Sequence, residues 1–363
     1  MNQTIASLIE NIQPSDKAAE AAAIAHLDQL TKPPGSLGKL EALAVKLAGI
    51  TGRTIASFPK RAVIVMAGDH GVCEEGVSAF PSEVTSQMVM NFLNGGAAVN
   101  VLARQANAEV FCVDVGVSAE LSHPGLLSKK VRYGTANMFK EPAMSREEAE
   151  AAILAGVEVV QEALSRGVRL FVTGEMGIGN TTASAAMLSG LTGISTLETV
   201  GRGTGIDDER LRRKIITVAG ALECNKPNSS DPLDVLAKVG GLEIAGLTGV
   251  ILAAAANRSP VIIDGFISSV AALAAIRLAP HAAHYMIASH VSQEPGHIHV
   301  LKELELEPML HLDMRLGEGT GGVLAIHLVD AACNVMAEMA TFASAGISSA
   351  SATENSLSEE EAP

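Results

Sequence analysis

The sequence predicts an α/β fold built on a parallel, doubly wound sheet, and three observations support that reading. Short β-branched or apolar runs alternate with longer helical stretches through most of the 363 residues. Most of the runs end in Gly, Asp or Ser, at the carboxyl edge where open parallel sheets place their ligands. Apolar residues make up 48% of the chain, yet aromatics only 3%, with no Trp. Such a core of Ala, Val, Leu, Ile and Met suits close packing of helices on a sheet.

Residues 1–60 read as helices over 5–12, 17–30 and 37–50. The connector Thr31-Lys32-Pro33-Pro34-Gly35-Ser36 must break the helix at its double proline, and Ser36 can cap the next one. Lys32 is either part of a plain connector or a cation on a rigid turn that reaches an active site. From residue 61 the period changes. Residues 62–67 form a strand that ends in Gly68-Asp69-His70-Gly71-Val72, and a loop over 75–82 leads to a helix over 83–93. Phe80 in that loop is either a core anchor or a ring on which a flat ligand stacks. A second strand covers 109–115. Ser145 with Glu148 makes a capping box for a helix running to Ser165, and a third strand covers 168–173.

Beyond that strand lies the glycine-rich stretch Gly174-Glu175-Met176-Gly177-Ile178-Gly179-Asn180-Thr181-Thr182, followed by an Ala-rich helix over 182–191. Strand, glycine turn and helix start together suit an anion, because backbone N–H groups and the helix dipole face it. The spacing is neither a Walker A loop nor GxGxxG. Glu175 adds a carboxylate able to accept hydrogen bonds from ribose hydroxyls. A second glycine-rich turn, Gly201-Arg202-Gly203-Thr204-Gly205, precedes a helix capped by Asp207 or Asp208. That helix carries Arg210, Arg212, Arg213 and Lys214, a basic cluster from which one member can turn inward to a phosphate. Strands over 260–263, closed by Asp264-Gly265, and over 284–289, ending in Ser289-His290, flank a helix over 268–278. Finally, residues 313–322 place Glu318 on a loop that Gly321-Gly322 joins to a helix over 323–342. The positive start of that helix is expected to keep Glu318 ionised near neutrality. The tail over 343–363, mostly Ser, Ala and Glu, lacks periodicity and is expected to be disordered and dispensable.

Several function classes are excluded. A net charge of −14 offers no cationic field for nucleic acid. No apolar run, that over 244–256 included, is long enough to predict a membrane span. The N-terminus has no basic region ahead of an apolar run, so no signal peptide is expected. Cys73, Cys112, Cys224 and Cys333 lack CxxC spacing and read as reduced core residues of a cytoplasmic protein. His281, His284 and His290, like His297 and His299, lack metal-ligand spacing. No GxSxG elbow supplies an acyl-transfer nucleophile.

Taken together, the segments 31–38, 68–72, 174–182, 201–205, 264–266, 289–290 and 316–322 resemble the nicotinate-nucleotide–dimethylbenzimidazole phosphoribosyltransferase family of cobalamin lower-ligand synthesis. The resemblance implies a Rossmann-like parallel sheet flanked by helices. It adds a smaller helical domain built from the N- and C-terminal segments, and a homodimer. On that reading residues 1–60 and 321–342 belong to the small domain, 61–320 form the catalytic domain, and 343–363 are the tail. The implied reaction moves 5-phosphoribosyl from nicotinate mononucleotide to 5,6-dimethylbenzimidazole, giving α-ribazole 5′-phosphate and nicotinate.

Carried over by position, Glu318 matches the general base, and the Glu175 loop with its helix start matches the mononucleotide-binding segment; the chemistry of the reaction makes Glu175 a second catalytic carboxylate. Nucleotide contacts are implied for Gly174, Gly177, Gly179, Asn180, Thr181 and Thr182. Further ones are implied for Arg202, Gly203, Lys214, Asp264 and Ser289. Phe80, Gln87 and Leu316 fall near the benzimidazole.

The chemistry agrees with these residues. The nicotinate leaves as a neutral pyridine and needs no general acid. The attacking benzimidazole nitrogen stays neutral if one base removes the other N–H. A carboxylate beside the anomeric carbon stabilises its developing charge. No metal or redox cofactor is required. The alternative from another class is a non-catalytic nicotinate mononucleotide sensor using the same cleft.

Overall fold

The structure, a computed structural model, describes residues 4–348. Most of the tail expected to be disordered, residues 349–363, lies outside the described residues. The chain divides into two compact units, one comprising the residues up to Pro14 with Phe58–Ile326, the other Ser15–Ser57 with the chain from His327.

The larger unit is organised on a six-stranded sheet. Its strands are β1 (Arg61–Gly68), β2 (Glu109–Gly116), β3 (Leu126–Ser128), β4 (Leu170–Met176), β5 (Val261–Ile263) and β6 (Met286–Ala288). They lie in the order β3-β2-β1-β4-β5-β6, and every pairing is parallel. The two halves of the sheet therefore wind in opposite directions from β1, and the carboxyl ends of β1 and β4 face the crevice where ligands of such sheets bind. Residues 62–67 of β1 are all completely buried, which explains why this strand reads as a continuous apolar run rather than an alternating one. β3 went unpredicted because three residues among Pro, Gly and His carry no period. The short parallel pair β7 (His290–Val291) and β8 (Leu310–His311) was missed for the same reason.

Two boundaries shift at the places that matter. β4 runs on through Gly174 and Glu175 to Met176, in register with β1 so that Met66 lies opposite Glu175. Glu175 thus projects from the end of a strand, not from a glycine turn. The helix that closes the site begins at Thr320 and extends to Glu338, so Gly321 and Gly322 lie in its first turn. It is also long and apolar enough to cross a bilayer by composition, and 56% of that stretch is buried within the protein. Helix Leu242–Ala256 is buried along almost its whole length, which accounts for its uninterrupted apolar sequence.

In the smaller unit, Asp16 caps helix Lys17–Leu27 by accepting the N–H groups of Ala18 and Ala19. Ser36 does not cap the next helix. Lys39–Thr51 starts after Gly38 with no side-chain cap. Glu41 takes over, accepting the N–H groups of Gly35 and Leu37. Lys32 is buried and pairs with this same Glu41 at 2.8 Å, so its cation serves the turn. Where the tail was expected to start, Thr341 caps one further turn, Phe342–Ala345.

Candidate active site

At the carboxyl edge of the sheet, in the larger unit, lies a cavity of about 440 Å³. Its floor holds three carboxylates delivered by three different elements. Glu175 comes from the end of β4, Asp264 follows β5, and Glu318 precedes helix Thr320–Glu338; each is at least 95% buried. Glu318 has left-handed backbone, φ +64°, a conformation that non-glycine residues adopt mainly where surrounding structure imposes it. One carboxylate oxygen of Glu318 accepts the Val99 N–H at 3.3 Å, and its own N–H donates to Glu175 Oε1 at 3.4 Å. Glu175 Oε2 accepts from the Asn180 amide. Asp264 turns both oxygens to the start of the Thr320 helix, accepting from Gly319 at 3.3 Å and Gly322 at 2.9 Å. It satisfies N–H groups that a helix start leaves unpaired.

Burial dominates the electrostatics of this floor. It raises the Glu175 pKa to about 8, with the charges of Asp264 and Glu243 adding to the effect and the Asn180 and Glu318 donors opposing it. Burial also raises Glu318, with Asp264 adding to it and the Val99 N–H working against it. Asp264 is raised by burial, partly offset by His290 and by the N–H groups of the helix start. With a pKa near 8, Glu175 holds its proton in the free site at neutral pH, where the sequence offered it as an acceptor for ribose hydroxyls.

A stability test follows. Glu175 holds a proton in the folded state between pH 4.5 and about 8, a range in which the unfolded chain has lost it. Its contribution is full below pH 4.5 and drains away as pH rises towards 8. The melting temperature of the unliganded protein should fall across that window, and Glu175→Gln should flatten the fall. An equal pH dependence in both proteins would show that Glu175 is ionised throughout.

The lining is of mixed character. Part of it is apolar: Val77, Val84, Met88 and Ile178, with Phe80 and Leu316. Phe80 and Leu316 are 52% and 57% exposed, so both present bare apolar surface in the absence of a ligand. Another part of the wall is Gly177, Gly179, Asn180, Thr181, Gly203 and Arg315. Asn180 and Thr181 open helix Asn180–Thr192, two residues earlier than its composition suggests. Lys214 stands behind this wall and donates to Thr181 Oγ1 at 2.7 Å and to the Gly201 carbonyl at 3.1 Å. Its burial lowers its pKa to about 8 against the pull of Glu294. Arg315 reaches across to the Gly203 carbonyl at 3.1 Å.

The structure thus gathers Glu175, Glu318, Asp264, Gly177, Gly179, Asn180, Thr181 and Gly203 around one cavity with Phe80 and Leu316. It leaves other expected residues outside the lining. Gly174 lies within β4, and the buried Thr182 N–H is used by the Gly179 carbonyl. Arg202 is exposed and pairs with Asp208. Ser289 donates to the Asp264 carbonyl at 3.0 Å. Gln87 faces solvent one position from Met88, which lines the cavity instead, because helix Glu83–Leu93 turns 100° per residue. Asp69 accepts the Ser118 N–H at 2.8 Å and braces a loop.

Sequence reasoning missed Met88, Glu294 and Arg315. Arg315 lay one residue from a recognised segment; Glu294 had no glycine or strand end to mark it. His290, set aside as a metal ligand, lines the cavity. His297 is held between the Ser269 hydroxyl and the Ser292 N–H. Among the described residues no group of three or more His, Cys, Asp or Glu is placed to hold a metal ion.

A parallel α/β sheet whose carboxyl edge joins an anion-suited helix start, paired buried carboxylates and an apolar wall defines a nucleotide-handling enzyme site. Residues 12–347 match the sequence profile of a family described as "Phosphoribosyltransferase". The chain is 60% identical to the nicotinate-nucleotide–dimethylbenzimidazole phosphoribosyltransferase of Chloroflexus aggregans, over 94% of this chain and 97% of that one. It is 54% identical to the protein of the same name from Halalkalibacterium halodurans, over 96% and 98% respectively. The crystal structure of CobT from Thermus thermophilus superposes with a TM-score of 0.88 at 49% identity, covering 91% of this chain and 99% of that one. The chain belongs to the nicotinate-nucleotide–dimethylbenzimidazole phosphoribosyltransferase family.

Proposed function

We propose that this protein transfers 5-phosphoribosyl from nicotinate mononucleotide to 5,6-dimethylbenzimidazole, with Glu318 as the base on the benzimidazole N–H. The observation that carries the reading is the meeting of Glu318 and Glu175 in a cavity lined by both apolar and polar residues. A flat, apolar acceptor suits Phe80, Leu316, Val84 and Met88. The phosphate suits the polar part of the lining, where the N-terminus of helix Asn180–Thr192 favours an anion. Lys214 donates to Thr181 Oγ1, which leaves the Thr181 hydroxyl proton free to donate onward to a phosphate oxygen. Arg315 adds a fixed cation in a chain of net charge −14, so the site supplies locally what the bulk charge does not.

The chemistry needs little more. Departure of nicotinate, its ring nitrogen now a neutral pyridine, leaves positive charge on the anomeric carbon, and a carboxylate at Glu175 stabilises it. The benzimidazole nitrogen attacks from the face opposite the leaving group, so a β-nucleotide gives an α-product. Glu318 takes the proton from the other ring nitrogen. The homodimer implied by the family resemblance and the cytoplasmic location read from the cysteine pattern belong to this reading. The sensor alternative finds no support among relatives named as transferases.

The deciding test incubates the protein with both substrates and resolves the products by chromatography. Stoichiometric α-ribazole 5′-phosphate and nicotinate are expected. Nicotinate mononucleotide binding without either product would favour a sensor.

A further inference from the structure

Beneath the polar part of the lining lies a pair of side chains that neither touches the cavity nor appears in the reaction. His70 follows β1 and is 3% exposed; Glu243, the second residue of helix Leu242–Ala256, is fully buried. Their side chains meet at 2.6 Å, Nε2 to Oε1, joining segments 173 residues apart. Burial disfavours the imidazolium, but the charge and hydrogen bond of Glu243, helped by Asp69, outweigh it and raise the His70 pKa. The contact is a short side-chain hydrogen bond that pins the imidazole.

What the ring supports is specific. A Cβ on Gly177 would sit 3.4 Å from His70 Cδ2 and Nε2, and one on Gly179 would sit 3.3 Å from His70 Cβ. A Cβ at these positions would meet the Gly68 carbonyl oxygen and Cys73 Sγ sooner still, so His70 shares with them the space behind two residues that line the cavity. Between them, Ile178 has both backbone groups committed. Its carbonyl accepts from the Cys73 thiol at 3.1 Å, and its N–H donates to Thr85 Oγ1 at 3.1 Å. Gly177 and Gly179 thus line the cavity on one side, with His70, Gly68 and Cys73 packed behind them. Backbone that binds a ligand needs such support, because a displacement near 1 Å costs substrate use about 10²-fold.

We infer that His70, anchored by Glu243, is a positioning residue that fixes the Gly177–Gly179 segment for the phosphoribosyl half of the nucleotide. The inference rests on the proposed reaction and adds a specific consequence: the pair governs use of the nucleotide and not of the acceptor base. The pair would otherwise be an ordinary buried support, whose loss would affect both substrates or stability alone.

Steady-state kinetics, with each substrate varied in turn, separates these cases. His70→Ala should raise KM for nicotinate mononucleotide by about tenfold or more, with KM for dimethylbenzimidazole unchanged. His70→Gln, whose amide can still donate to Glu243, should recover most of the loss. Equal increases in both KM values, or a lower melting temperature with both KM values unchanged, would overturn the inference. Should His70→Ala fail to fold, Glu243→Gln keeps the shape and removes the charge. It should raise the same KM to a lesser degree, and an unchanged value would again overturn the inference. Wild-type protein that makes no product would sink the proposed reaction instead. The positioning role would then be read from nicotinate mononucleotide affinity, weakened in His70→Ala and restored in His70→Gln, and equal affinity in all three proteins would refute it.

Discussion

Glu318→Gln should lower turnover by about 10²–10⁴-fold, the usual share of a positioned base, while both substrates still bind. The glutamine keeps the size of the side chain and an oxygen able to accept the Val99 N–H that holds Glu318 at 3.3 Å. It cannot accept a proton. Burial strengthens Glu318 as a base by raising its pKa, with the Asp264 charge acting in the same direction. The base form is lost as pH falls through that raised value, so wild-type turnover should show an acidic limb that the Gln variant lacks. Single-turnover and steady-state rates across pH check both parts. A variant that kept more than about a tenth of normal turnover, with ligand binding unaltered, would remove Glu318 as the base.

The helix dipole was expected to keep Glu318 ionised, and the structure shows why that expectation carries less weight. The N–H groups at the start of the Thr320 helix are taken by Asp264, at 3.3 and 2.9 Å, rather than by Glu318. A sequence places both acids near glycines but cannot say which of them the helix start selects. The same limit applies elsewhere. The runs that became β1, β2, β4 and β5 were legible because parallel core strands are apolar on both faces, and their polar endings marked the carboxyl edge. Glu175, Glu318, Thr181 and Gly203 could be located because they stand at those endings or in glycine-rich turns. Gln87 and Met88 show where this stops. Both lie on one helix, and only the helix's rotation against the sheet decides which faces the cavity. Glu294, Arg315, and the union of His70 with Glu243 depend on segments distant in sequence that only tertiary packing brings together.

Glu175→Gln should impair use of nicotinate mononucleotide and leave the affinity for dimethylbenzimidazole nearly unchanged. In the free protein Glu175 is at least 95% buried and has a pKa raised to about 8, so near pH 7 it carries a proton. The incoming nucleotide brings a pyridinium cation, and a positive charge close to a carboxyl favours its ionised form. Binding at pH 7 should therefore release a proton from Glu175, giving a binding enthalpy that depends on the ionisation heat of the buffer. Glutamine can donate and accept hydrogen bonds but cannot acquire that charge. The loss of a charged acceptor costs about 1.5–3 kcal/mol, or about 10–10²-fold in kcat/KM for the nucleotide. Calorimetry in two buffers should show proton release in the wild type and none in the variant. Proton release that persists in Glu175→Gln would assign the titrating group elsewhere, with Asp264 the neighbouring candidate. An unchanged kcat and KM would take Glu175 out of the reaction altogether.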